Sequence, residues 1–243
     1  EALPAPGVMQ DILGTLKEVY HAHTAVLVPG SGTFGMEAVA RQFANREKVL
    51  IVRNGWFSFR WTQIHEAAAM EGEAAVEMAR PAGNDPQPAF APPPIEDVVA
   101  EIRDSRPAVV FAPHVETSAG LILPDDYITA LADAAHEVGA LMVLDCIASG
   151  AVWVDMAATG VDVLISAPQK GWSAPPAAGL VMFSPEGLAR LEATTSDSFA
   201  LDLKKWRAIM KAYEDGGHAY HATMPTDGLA RNLEHMRETR DRG

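Results

Sequence analysis

The sequence predicts an α/β fold: a mainly parallel central sheet with helices on both faces. Two observations carry this. Short apolar runs rich in β-branched residues alternate with longer segments of helical periodicity. The apolar runs are apolar throughout, without the in–out alternation of a sheet that has one wet face. The 243 residues, 48% apolar and 21% charged, suit one large domain with a sizeable core.

The elements follow in order. Val8, Ile12, Leu16 and Val19 recur at helical spacing and predict a helix over 8–20. Ala25–Val28 is a strand stopped by Pro29-Gly30, and Met36, Val39, Ala40 and Phe43 mark the next helix. Lys48–Arg53 is a strand ended by Asn54-Gly55, followed by a helix near 57–69 and a strand at Ala74–Met78. The stretch Arg80–Pro94 holds six prolines and predicts an irregular surface loop, because the same alternation resumes beyond it. A helix over 95–104, a strand at Ala108–Ala112 and a helix over 125–138 come next. Further strands are Ala140–Leu144, which runs into Asp145, Val161–Ser166 and Leu180–Phe183, with a helix beginning at Pro185–Leu191.

Composition excludes several function classes. With 19 basic and 32 acidic side chains the formal charge is −13, which argues against a nucleic-acid backbone or an anionic membrane as partner. The single cysteine, Cys146, forms no internal disulfide framework or cysteine metal cluster and fits a reducing compartment. No apolar stretch approaches the roughly 18 residues of a membrane helix. The N-terminal EALPAPGVMQDIL lacks a basic start followed by an apolar block. A cytoplasmic protein is expected.

In parallel sheets ligands sit beyond the carboxyl ends of strands, so the chemistry is sought there. Gly30-Ser31-Gly32-Thr33-Phe34-Gly35 follows a strand and opens a helix, where free N–H groups can hold a phosphate. It also matches the dinucleotide fingerprint, but the next strand ends in Arg53 rather than an acid. A cofactor phosphate, NADP and a plain glycine turn all stay open. Asp145 ends one apolar strand and Lys170 closes VLISAPQK, 25 residues later. Taken singly, the first could be a cap and the second a solvated charge. Taken with the glycine loop, they meet the needs of pyridoxal phosphate: an anion for the pyridine nitrogen, an amine for the aldehyde and a turn for the phosphate. Lys170 is expected to be desolvated, which frees the amine.

The stretches GSGTFGMEAV, NGWFSFR, HVETSAG, LDCIASG, SAPQKGWSAPP and YHATMP, in this order, resemble the class V pyridoxal-phosphate aminotransferases, in particular the serine/alanine–glyoxylate branch. The likeness runs from about Leu27 to about Pro225 and implies the fold type I large domain, a three-layer sandwich. It implies that Ser31, Gly32 and Thr33 hold the cofactor phosphate together with Gln169. Phe57, or Trp56 if the register slips by one, would stack on the pyridine ring, Ile147 would pack under it, and Ser118 would bond its hydroxyl. Asp145 would pair with the ring nitrogen and Lys170 would carry the Schiff base. Tyr220 and Thr223 would reach the neighbour's phosphate in a homodimer. The family extends past this chain's end into a small domain that supplies an arginine for the substrate carboxylate. Residues 1–225 are therefore expected to be the large cofactor-binding domain of a longer protein, and 226–243 the start of a helix leading to the small one.

The expected reaction moves an amino group from a small amino acid to a 2-oxo acid such as glyoxylate or pyruvate; Thr33 leaves the donor open. Alternatives are a class V lyase or desulfurase, an NADP-dependent oxidoreductase using the GSGTFG loop, and a non-catalytic cofactor-binding module. Desulfurases tend to carry a His before the lysine, where this chain has Gln169. His114 and His136 read as structural, and His218 and His221 lack a third metal ligand nearby.

Overall fold

The computed structural model describes residues 3–243. Helix α1 (Pro6–Tyr20) starts with proline at its first position, where the missing N–H costs nothing. Strand β1 (Thr24–Pro29) leads through Gly30-Ser31 into α2 (Gly32–Phe43). Strand β2 (Val49–Arg53), helix α3 (Trp56–Ala67) and strand β3 (Ala74–Met78) form the next unit. Two short strands, β4 (Arg80–Ala82) and β5 (Ala89–Ala91), precede α4 (Ile95–Ser105). Strand β6 (Val109–Pro113) is followed by β7 (Val115–Glu116), a 3₁₀ turn at Thr117–Ala119 and β8 (Leu121–Ile122). Helix α5 (Asp125–Glu137), β9 (Leu141–Asp145), α6 (Met156–Thr159), β10 (Val163–Ser166) and β11 (Ala178–Phe183) complete the core. Helices α7 (Pro185–Ala193), α8 (Leu203–Glu214) and α9 (Thr226–Arg242) close the chain.

Seven strands form one sheet in the order β1-β11-β10-β9-β6-β2-β3. Only β11 runs against the rest, pairing antiparallel with both β1 and β10. Every residue of β6, β9, β10 and β11 is buried, as strands covered on both faces require. Trp61 of α3 stacks on Phe111 of β6 with ring centroids 4.3 Å apart, which fixes one helical layer against the sheet. Helix α2 lies beside α3 over β10 and β11, while α5, backed by α4, packs on β6 and β9. Helix α9 returns to α1, burying Leu229, Leu233 and Met236 and pairing Arg237 with Asp11.

The structure corrects the sequence reading in one element. The proline-rich stretch is not wholly irregular: β4 and β5 form an antiparallel ribbon with Pro81 opposite Phe90. A two-stranded ribbon leaves each strand an outer edge, where a proline's missing N–H breaks no ladder. The main sheet continues across this segment, since β2 lies between β3 and β6, so no domain boundary falls here.

Sheet order also disposes of the dinucleotide reading. A ribose-binding residue must end the strand beside the glycine loop's own strand. Here β11, β10, β9 and β6 stand between β1 and β2, so the strand that Arg53 ends is not the neighbour of β1. Arg53 is occupied locally instead, donating to Thr62 Oγ1 at 3.3 Å and lying over the Phe59 ring.

Candidate active site

Strands β1, β9 and β10 point the same way, so the glycine loop, Asp145 and the turn holding Gln169-Lys170 share one sheet edge. Gly32 makes the approach possible: a Cβ there would lie 2.6 Å from Ile147 Cδ1 and 3.2 Å from Ala167. The start of α2 can therefore sit directly on the ends of β9 and β10.

The two helices at this edge begin differently. Ser31 is extended at the N-cap of α2 and its side chain makes no capping bond. Gly32 and Thr33 N–H have no partner among the described residues. Helix α3 is capped by residues 58 to 62 positions away in sequence. Glu116, fully buried, accepts hydrogen bonds from Phe57 N–H (3.1 Å), Ser58 N–H (2.9 Å), the Ser58 hydroxyl (2.6 Å) and the Ser118 hydroxyl (2.9 Å). Ser118 Oγ in turn accepts Trp56 N–H at 2.8 Å. Burial alone would raise the Glu116 carboxyl; the Ser58, Ser118 and Phe57 bonds outweigh it and hold it below 4.5. Residue 55 is a glycine because a Cβ would come within 2.3 Å of Ser118 Oγ.

Between these helix starts lies a cavity of about 270 Å³. Gly32, Thr33, Phe57, Asp145, Ile147, Gln169 and Lys170 line it, joined by Met36, Arg60, Val115, Thr117 and Ala148. Asp145 is buried, and burial pushes its carboxyl up to about 6 from 3.8. The Ile147 N–H, 2.9 Å from Oδ1, and the Arg60 charge act the other way, and Glu116 adds slightly to the rise. A larger hollow of about 570 Å³ opens at the opposite end of the sheet, beside His21 and His136. Its buried acid is committed: Asp162 accepts from Met142 N–H, His136 and Ser184.

A family model for class-V aminotransferases matches residues 8–238. The chain belongs to that family. It is 35% identical over 211 residues to a 2-aminoethylphosphonate–pyruvate transaminase of Burkholderia pseudomallei, covering 86% of this chain and 53% of that protein. It is 30% identical over 204 residues to the soluble hydrogenase 42 kDa subunit of Anabaena cylindrica, covering 82% of this chain and 51% of that one. Among solved structures, alanine–glyoxylate aminotransferase from Nostoc sp. superposes with a TM-score of 0.81 at 24% identity, over 98% of this chain and 60% of that one. Aspartate aminotransferase from Thermus thermophilus superposes at 0.76 with 29% identity, over 98% of this chain and 62% of that one. The chain thus spans between about half and three fifths of these relatives' length. The fold is that of pyridoxal-phosphate fold type I enzymes, and the family is pyridoxal-phosphate dependent.

Within this class V chain, the residues singled out from sequence fall into three groups. Gly32, Thr33, Phe57, Asp145, Ile147, Gln169 and Lys170 meet at the cavity. Ser31 stands just behind it as the α2 N-cap, and Trp56, 62% exposed, faces a separate groove with Met78 and Phe90. Ser118 is not a lining residue: its hydroxyl is held between Trp56 and Glu116, and Thr117 takes the place at the cavity. Tyr220 and Thr223 lie elsewhere on the surface, their hydroxyls 3.4 Å apart. Lys170 is exposed at the cavity rim, so the desolvation expected of it is not present in the single chain. Sequence reasoning missed Arg60, Glu116 and Thr117. The last carried a signal, adjacency to Ser118 in HVETSAG; the other two look like ordinary charges until the fold brings α2, α3 and β7 together.

Two outcomes test this geometry. Glu116→Gln turns an amide N–H₂ toward N–H donors and should cost about 2–4 kcal/mol of unfolding free energy at pH 7. Because the folded carboxyl lies below its ordinary 4.5, its contribution is full above 4.5 and fades as pH falls through the folded value. The deficit in denaturant melts should therefore narrow in acid. Asp145 has the opposite sign: its folded value is raised, so the ionised form disfavours the cofactor-free fold. Asp145→Asn should stabilise that form by about 1–3 kcal/mol above pH 6. The gain should vanish as pH falls from about 6 through 3.8. A gain that grew in acid would contradict the assignment.

Proposed function

We propose that this chain is the cofactor-binding part of a cytoplasmic, homodimeric pyridoxal-phosphate transaminase. Its substrates on this reading are a small amino acid of the serine or alanine type and a 2-oxo acid such as glyoxylate or pyruvate. The observation that carries the reading is that one cavity holds a buried acid, a lysine at its rim and an uncapped helix start. The residues present suit the cofactor. The free N–H groups of Gly32 and Thr33 suit a phosphate. The Gln169 side-chain amide, whose Oε1 is buried without a partner, would complete its polar surroundings. Phe57 and Ile147 would sandwich the ring, Asp145 would face its nitrogen, and Thr117, rather than Ser118, would meet its hydroxyl. Bound there, pyridoxal phosphate supplies an electron sink for the electrons of the donor's Cα–H bond.

The chain's own residues do the rest. Lys170 Nζ takes the proton from the donor's Cα and, in the second half-reaction, returns one to the acceptor's carbon. Asp145 would be kept anionic by a cationic partner at the ring nitrogen and would hold that ring at the sheet edge. Tyr220 and Thr223 are exposed and outside this chain's own cavity, which supports the reading that they would serve the site of a second copy. The lone Cys146 is buried and burial pushes its thiol well up, which supports a packing role over a sulfur-carrying one and so disfavours desulfuration. A buried, unpaired cysteine accords with a reducing, cytoplasmic setting.

The test is direct. On addition of pyridoxal phosphate the wild type should gain visible absorbance, and an amino acid from a donor panel should convert it to the pyridoxamine form. Lys170→Ala should remove that absorbance and lower transamination by about 10²–10⁴-fold. Persistence of both would refute the lysine's role.

A further inference from the structure

Arg60 sits one helical turn beyond Phe57 on α3 and reaches across to α2. Its Nη1 donates to Thr33 Oγ1 at 2.9 Å, and its guanidinium lies 5.7 Å from the centroid of the Phe57 ring. The hydroxyl of Thr33 has one proton of its own. With its oxygen accepting from Arg60, that proton has no acceptor among the described residues, and Thr33 lines the cavity. A cation that donates to a hydroxyl also polarises it, making its own O–H a better donor.

We infer that Arg60 is a positioning residue for anion recognition: it turns Thr33 into an outward hydrogen-bond donor at the α2 start and backs the aromatic ring beside it. This rests on the cofactor reading above and deepens it. The phosphate end of the ligand would be selected through Thr33, with Arg60 setting the direction of the donor. The same charge faces Asp145, whose other charged influence is Glu116 on β7. One guanidinium thereby links the phosphate end of the cavity to its acid end.

The experiment compares wild type, Arg60→Met, Arg60→Gln, Thr33→Val and the Arg60→Met/Thr33→Val double variant. Apoprotein is titrated by absorbance with pyridoxal phosphate and with unphosphorylated pyridoxal. Arg60→Met should weaken pyridoxal phosphate about 10- to 100-fold and pyridoxal by no more than about twofold. Arg60→Gln, which keeps a donor for Thr33 without the charge, should fall between. The double variant should bind within about threefold of the weaker single variant, because both remove one pathway. Equal losses for the two ligands, or losses that multiply in the double variant, would overturn the inference.

A second readout needs no cofactor. The Asp145 carboxyl of apoprotein, followed by ¹³C NMR against Asp145→Asn, should titrate higher in both Arg60 variants than in wild type. An unchanged titration overturns the inference as well. Wild type that binds neither vitamer would sink the cofactor reading, while the carboxyl titration still judges Arg60.

Discussion

Glu116 ties the first turn of α3 to the turn after β7, and the cavity takes its shape from that tie. The first turn of any helix leaves N–H groups that need an acceptor. In α3 those of Trp56, Phe57 and Ser58 are met by Ser118 and Glu116. A carboxylate at this point also offsets the positive end of the α3 dipole. The neighbouring α2 has neither device. Of two helix starts at one sheet edge, one is neutralised and the other left open, so an anion has a single preferred seat.

That arrangement sets where Phe57 and Arg60 stand, since both lie within the first turn and a half of α3. It also explains the acid at the other end of the cavity. Asp145 is the last residue of a strand buried on both faces, with one backbone N–H as its hydrogen-bond donor. An isolated anion in such a place is costly, and its raised value of about 6 records that cost. A ligand bringing positive charge to the carboxylate would offset the penalty, so affinity and stability are coupled through one side chain.

Much of the sheet and part of the site were legible in the sequence. The strands could be placed because uniformly apolar runs have few other uses in a domain of this size. Asp145 and the glycine loop could be placed because strand ends in parallel sheets collect at one edge. What stayed hidden depended on tertiary neighbours. Arg60 and Glu116 are single charges whose partners are 27 and 58 residues away in sequence. Thr117 and Ser118 occupy one 3₁₀ turn, where a one-residue difference decides which of them lines the cavity. The β4–β5 ribbon escaped notice because its prolines signal a loop, and only a free edge makes them compatible with a strand.

Lys170 poses the remaining physical question. A lysine that takes and returns a proton at carbon works best where water is excluded, since desolvation favours its neutral amine. In the single chain it stands exposed at the edge of the cavity. Tyr220 and Thr223 put two neighbouring hydroxyls, exposed, on a segment between α8 and α9. On the homodimer reading, that lysine and this pair of hydroxyls would belong to one shared site, each copy holding part of it. The proposed homodimer would then do more than double the molecule. A second copy seated over the rim would exclude water from the lysine, and the chemistry of each site would then depend on the other chain.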